Sequence, residues 1–159
     1  MPALLVRHAV AVSRRSWAGD DAGRPLDDRG RLQATALVGA LGSVDVSRVL
    51  ASPAVRCLAT VEPLATARGL DVTPEDALFE GNGRRALELV RSVLAPESEP
   101  DGPATVLCSH GDVIPEILGQ LEREGADLGD HRRCRKGSVW TLHRRPDGGI
   151  RGIYTAPPA

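Results

Sequence analysis

An α/β fold, a three-layer sandwich with a largely parallel central sheet flanked by helices and a C-terminal hairpin, is predicted by periodicity and by composition. Short continuous apolar runs near residues 3–8 and 104–108 have the character of strands buried on both faces. Segments with three-and-four apolar spacing alternate with such runs, the pattern of helices layered on a parallel sheet. With one Met, one Phe and one Tyr among 159 residues, the core has to be built from Ala, Val and Leu, which suits helices over strands rather than an aromatic-rich sandwich.

Residues 3–8, Ala-Leu-Leu-Val-Arg-His, open the pattern as a strand. Residues 9–26 are polar and contain Gly19, Gly23 and Pro25, which predicts a long loop of the kind that often carries function. Pro25-Leu26-Asp27-Asp28 reads as a helix start with an Asp N-cap, and Leu32, Ala36, Leu37, Ala40 and Leu41 give 28–41 an apolar stripe that stops near Gly42. A second strand is expected over 48–51. Ser52-Pro53 has the signature of another helix start, Ser as cap and Pro at the first position. Cys57, Leu58, Val61, Leu64 and Ala65 supply its stripe, Pro63 is placed to kink it and Gly69 to end it. Residues 70–73 predict a short strand, 77–83 a loop, and 84–95 a helix with Leu87, Val90 and Leu94 on one side. Residues 96–103, rich in proline, mark a surface connection. A strand over 104–108 leads to a helix over 112–124 carrying Ile114, Ile117, Leu118 and Leu121. After a polar, basic stretch over 125–137, residues 138–144 alternate Val139, Thr141 and His143 against Trp140 and Leu142. With 150–155 across the turn Pro146-Asp147-Gly148-Gly149 they predict a hairpin. No repeat or linker divides the chain, so 1–159 reads as one domain.

Composition narrows the classes of function. Hydrophobic residues make up 42% and charged residues 26%, ordinary values for a soluble globular chain. A net charge of -1 supplies no global field for nucleic acid or an acidic membrane, so neither is expected as a partner. No apolar run approaches the roughly 20 residues of a membrane span, and the N-terminal run is too short for a signal-peptide core. Cys57, Cys108 and Cys134 are odd in number and widely spaced, which argues against a disulfide framework and predicts a reducing, cytoplasmic setting. Cys57 and Cys108 lie in apolar contexts and are expected to be small core residues.

The chemistry is carried by two strands that each deliver a histidine, Leu4-Leu5-Val6-Arg7-His8 and Leu107-Cys108-Ser109-His110-Gly111-Asp112. In parallel sheets ligands bind beyond the carboxyl ends of strands, which makes His8 and His110 plausible neighbours despite their separation in the chain. A neutral imidazole is a nucleophile near neutral pH, and an arginine beside it holds an anion through a planar fork. The pairing points to phosphoryl transfer through a phosphohistidine.

The chain resembles the histidine phosphatase superfamily, which includes the phosphoglycerate mutases and the short, SixA-like phosphohistidine phosphatases. The resemblance rests on four stretches in the family's order: Leu5-Val6-Arg7-His8-Ala9, residues 24–34 (Arg-Pro-Leu-Asp-Asp-Arg-Gly-Arg-Leu-Gln-Ala), residues 51–60 (Ala-Ser-Pro-Ala-Val-Arg-Cys-Leu-Ala-Thr), and Cys108-Ser109-His110-Gly111-Asp112. The family's first motif usually ends in Gly, where this chain has Ala9. The resemblance implies a phosphoglycerate mutase-like fold, His8 as nucleophile, Arg7 and Arg56 as clamps on the phosphoryl oxygens, and His110 as the second imidazole. Charge in phosphoryl transfer spreads over three equatorial oxygens, so fixed cations are the main aid. Gly111 lets the backbone approach the ligand. A general acid must protonate the leaving group. The resemblance points to Glu80, whose partial burial beside Phe79 would favour its protonated form, with Glu75 or Asp76 as substitutes.

Arg14, Arg15, Trp17 and Arg24 lie on the loop after the nucleophile, where they would recognise outer phosphates or stack on a base or simply be solvated. His131-Arg132-Arg133-Cys134-Arg135-Lys136 is a second basic cluster, a surface patch or the rim of an anion pocket. The residues over 81–86 mimic a dinucleotide fingerprint but lack its strand-turn-helix unit. No Cys-x5-Arg motif, paired zinc spacing or P-loop occurs, so a reaction without metal or other cofactor is expected. The loop Arg14-Arg15-Ser16-Trp17, with 61–65 and 108–115, is most similar to the phosphatase domain that follows a MutT-type Nudix hydrolase in some proteins. That implies a small phosphorylated substrate, a nucleotide di- or polyphosphate. A protein phosphohistidine phosphatase, with a phosphoprotein as partner, is the second enzymatic reading, and a catalytically inactive phosphate-binding module is the alternative from another class.

Overall fold

The structure is a computed structural model that describes residues 1–96, 99, 101–129 and 133–158. In chain order its elements are β1 (Ala3–Arg7), α1 (Asp28–Ala40), β2 (Val46–Ala51), α2 (Val55–Ala67), β3 (Val72–Pro74), α3 (Gly83–Val93), β4 (Ala104–Ser109), α4 (Val113–Arg123), β5 (Val139–Arg144) and β6 (Ile150–Thr155). The strands form one sheet in the order β3-β2-β4-β1-β5-β6. β1, β2, β3 and β4 are mutually parallel, while β5 runs antiparallel to β1 and β6 antiparallel to β5. The expected α/β sandwich and C-terminal hairpin are both present.

Strand alternation divides the core into two layers. Leu4, Val6, Val106 and Cys108 point to one face and pack with Leu37 of α1, with Leu41 just after it, and with Val61 and Leu64 of α2. Ala3, Leu5 and Leu107 point to the other and pack with Val90 of α3 and with Ile114, Ile117 and Leu121 of α4. β1 and β4, central and covered on both faces, are accordingly apolar at successive positions. Trp140, the largest fully buried side chain, joins the second layer from β5.

Several local expectations are corrected. The inward face of α1 is Gly30, Ala34 and Leu37, continued by Leu41 after the helix, whereas Leu32 is 72% exposed and Ala40 also faces solvent. Small residues make the inward face because α1 lies close to the loop after β1. Asp27 caps the helix through its carboxylate and the Gly30 amide (2.8 Å). α2 starts at Val55 rather than at Pro53, with Ala54 as its N-cap. Ser52 faces the sheet edge instead. α2 continues through Pro63. The strand expected over 70–73 is shifted to β3, and a 3-10 turn, Asp76–Leu78, lies inside the loop expected over 77–83. The loop after β1 contains two such turns, Arg14–Ser16 and Asp21–Gly23, and its ends meet in an Ala11–Leu26 bridge. Among the described residues no helix is long and apolar enough to cross a membrane. Cys57, Cys108 and Cys134 are unpaired, with Cys57 and Cys108 in the core as expected.

Candidate active site

Strand register decides which side chains meet. Arg7 pairs with Ser109 across β1 and β4, so His8 and His110 leave the sheet side by side at its carboxyl edge. The His8 amide donates to the Ser109 carbonyl (3.0 Å). The two imidazole centroids are 5.6 Å apart, with the rings inclined at 65°. β2 ends beside them, because Ala51 pairs with Cys108, and this brings Ser52 and α2 to the same edge.

The His8 ring is buried, and its Nδ1 lies 2.8 Å from the Ala9 carbonyl. A carbonyl only accepts, so Nδ1 carries the proton and Nε2 keeps its lone pair. Burial pushes the His8 pKa from 6.5 down to about 3; the Ala9 bond acts in the opposite sense, and the neighbouring His110, Arg56 and Arg7 deepen the depression. The ring is therefore neutral throughout the physiological range. Thr60 secures the turn after it: its hydroxyl accepts from the Ala9 amide (2.9 Å) and donates to the Arg56 carbonyl (2.6 Å).

Arg56 lies in the first turn of α2 and is fully buried. Its Nη1 donates to the Asp21 carbonyl (2.8 Å), and its Nη2 reaches the carboxylates of Asp21 (3.1 Å) and Glu80 (2.6 Å). Glu80 Oε1 also lies 3.3 Å from His110 Nδ1. The opposite side of His110 meets Ser52, whose Oγ is 2.8 Å from Nε2. Ser52 Oγ accepts from the Ala54 amide (3.3 Å), so its own proton is available to Nε2. Ser52 and Glu80 are both satisfied when His110 accepts at Nε2 and carries its proton on Nδ1, directed at the Glu80 carboxylate. Cys57 Sγ, 3.6 Å from His110 Nε2, and the Phe79 ring edge close the remaining sides.

Arg7 spreads its guanidinium over Gly111, where an added Cβ would come within 2.7 Å of Cζ. Its Nη1 donates to the Cys134 carbonyl (2.6 Å), and its buried Nε has no hydrogen-bond partner among the described residues. Two contacts fix the segment that carries Glu80. Asp112 accepts from the Gly81 amide (2.9 Å), and the Ser109 hydroxyl donates to the Leu78 carbonyl (2.6 Å).

Arg7, His8, Arg14, Arg24, Glu80, Gly111, Asp112 and Lys136 line a pocket of about 690 Å3 over this edge. The structure thus brings together Arg7, His8, Arg56, His110 and Glu80. Of the other acids considered, Glu75 caps the 3-10 turn through the Ala77 amide (3.2 Å), and neither it nor Asp76 lines the pocket. From the loop, Arg14 and Arg24 line the pocket, whereas Arg15 is exposed elsewhere. Trp17 folds back onto its own loop, donating from Nε1 to the Asp20 carbonyl (2.8 Å) and lying against Gly19. A base-stacking position for Trp17 is therefore not present in this arrangement. In the second basic cluster, His131 and Arg132 lie outside the described residues, while Lys136 reaches the pocket wall.

The residue patterns assign no role at the site to Asp21, Ser52 or Asp112, although Ser52 reads as a helix cap and Asp112 ends the His110 stretch. Asp21 is the hub of the loop, joined to Arg24 (3.0 Å) as well as to Arg56. Partial desolvation opposes the shift, yet the Arg24 hydrogen bond and the charges of Arg56, Arg24 and Arg14 hold its carboxyl below the ordinary 3.8. Among the described residues no group of three or more His, Cys, Asp or Glu side chains gathers to hold a metal.

Comparison with known proteins identifies the family and the fold. The family described as histidine phosphatase superfamily (branch 1) matches residues 3–84. An 8-oxo-(d)GTP phosphatase of Mycolicibacterium smegmatis (strain ATCC 700084 / mc(2)155) is 36% identical over 157 residues, covering 98% of this chain and 48% of the relative. The chain thus spans about half the length of that relative. Among solved structures, Bacillus stearothermophilus YhfR superposes with a TM-score of 0.77 at 16% identity, over 99% of this chain and 98% of the other. The protein histidine phosphatase SixA complexed with tungstate superposes with a TM-score of 0.74 at 17% identity, over 98% and 95%. At these identities the two structures speak for the fold alone.

Proposed function

We propose that the chain, which belongs to the histidine phosphatase superfamily (branch 1), is a phosphatase that works through a phosphohistidine on His8 and takes a nucleotide as substrate. One observation carries the mechanism: the neutral His8 ring stands 5.6 Å from His110 with Arg7 and Arg56 beside them. In the first step His8 Nε2 attacks phosphorus and the bond to the leaving oxygen breaks. Glu80 gives that oxygen a proton. In the second step water attacks phosphohistidine, Glu80 takes the water proton, the N–P bond breaks and phosphate leaves.

Arg7, Arg56 and the His110 Nδ1–H would hold the non-bridging oxygens. Glu80 now occupies the donors that such a group needs, 2.6 Å from Arg56 and 3.3 Å from His110. An arriving phosphoryl group would displace its carboxylate toward the leaving group, the place where an acid is required. The nucleotide reading is supported by the basic wall of Arg7, Arg14, Arg24 and Lys136 around a pocket larger than one phosphoryl group needs. The activity named for the M. smegmatis relative points the same way.

Hydrolysis of p-nitrophenyl phosphate in EDTA tests the mechanism. Wild type should turn over, and His8→Ala should lose roughly a thousandfold or more. Unchanged turnover in His8→Ala would remove His8 from the reaction. No wild-type turnover of any phosphate ester would favour a binding module instead.

A further inference from the structure

Lys136 is the wall between the catalytic pocket and a second concavity of about 610 Å3, whose lining includes Arg29, Leu32, Arg135, Lys136, Pro157 and Pro158. Lys136 lines both. The Gln33 amide holds the junction, accepting from the Val10 amide (3.0 Å) and donating to the Lys136 carbonyl (3.3 Å).

The chemistry of this groove is not that of an ordinary solvated face. No carboxylate is among its described lining residues, and none of Arg29, Arg135 and Lys136 has an ion-pair partner among the described residues. Arg31, on the same helix, is by contrast paired with Asp28. Partial desolvation, then the charges of Arg7 and Arg24, hold the Lys136 ammonium below its ordinary range, while Asp27 opposes them. An anion between these groups would relieve the crowding. The apolar part of the groove is Leu32, 72% exposed on α1, with two prolines opposite. The core makes no use of Leu32, and a flat ring can lie on such a surface.

We propose that this groove is the subsite for the distal part of a nucleoside di- or triphosphate whose terminal phosphoryl group lies at His8. The adjoining phosphates cross at Lys136 between Arg29 and Arg135, and the base rests on Leu32, Pro157 and Pro158. The assignment rests on the phosphohistidine reading above and adds to it the substrate's size and direction.

Arg29→Glu, Arg135→Glu and their double variant test it, since both residues are exposed and lie outside the catalytic pocket. Each is assayed on p-nitrophenyl phosphate, a sugar monophosphate, a nucleoside diphosphate, a nucleoside triphosphate and a phosphohistidine peptide, after a melting curve shows the fold retained. The double variant should raise KM for the nucleoside phosphates roughly tenfold and leave p-nitrophenyl phosphate and the sugar phosphate unchanged. Equal KM for nucleotides in wild type and double variant overturns the subsite. So does a loss shared by all substrates, or one confined to the peptide, which would make the groove a protein-docking face. If wild type cleaves p-nitrophenyl phosphate through His8 but no nucleotide, the subsite falls while the phosphohistidine mechanism stands. If it cleaves none of the substrates, both fall.

Discussion

His8 is poised by its immediate neighbours rather than by its own basicity. Burial keeps the ring neutral, and the Ala9 carbonyl fixes the proton on Nδ1. His110 is set in the complementary way, with Ser52 on Nε2 and the Nδ1 proton turned to the pocket. Removing the Ser52 hydroxyl leaves His110 buried but free to take the other tautomer. Ser52→Ala should therefore lower kcat for p-nitrophenyl phosphate by about a hundredfold, as loss of alignment of a catalytic group does, with little change in melting temperature. Ser52→Thr, which keeps the hydroxyl, should recover much of the rate. An equal loss in both variants would assign Ser52 a packing role.

At the scale of elements, the loop after β1 is as much a part of the site as the strands. Its ends close through the Ala11–Leu26 bridge, and its Asp21 grips Arg56. Gly30 on α1 makes this closure sterically feasible: a Cβ there would lie 1.9 Å from the Val10 carbonyl oxygen, a contact with backbone that has little room to yield. Gly30→Ala should destabilise the protein by about 2 kcal/mol, a drop of roughly 5 °C in melting temperature. Activity should fall with it because Asp21 shifts, and an unchanged melting curve would contradict the packing. β1, β4 and the terminal hairpin were legible because continuous or alternating apolar patterns report burial directly. The four motif stretches were legible because their residues are bound together, with Thr60 tied to Ala9 and Gln33 to Val10. The loop was not legible. Asp21 acts through contacts with Arg56 and Arg24 that no periodicity encodes, and Ser52 carries the signature of a helix cap although its hydroxyl serves His110. The face of α1 was misread because its inward residues are small and its largest apolar residue, Leu32, points outward.

For the whole molecule, a site built on a buried neutral histidine links folding to protons. The folded His8 pKa of about 3 lies below the ordinary 6.5, so the unfolded chain binds a proton that the folded one excludes between these values. This linkage costs no stability above pH 6.5, and stability declines as pH falls from 6.5 toward about 3. Chemical denaturation followed from pH 8 to pH 4 should show wild type losing more stability than His8→Asn, in which that titration is absent. Parallel curves would place the His8 pKa near its ordinary value. The central claim, that phosphorus passes through His8, is tested most directly by rapid quench with a substrate labelled in its terminal phosphate. The expected result is label on the protein that is stable in base, lost in acid, mapped to the peptide bearing His8, and absent from His8→Ala. Wild-type turnover with no label at any quench time, or label on another residue that persists in His8→Ala, would contradict it.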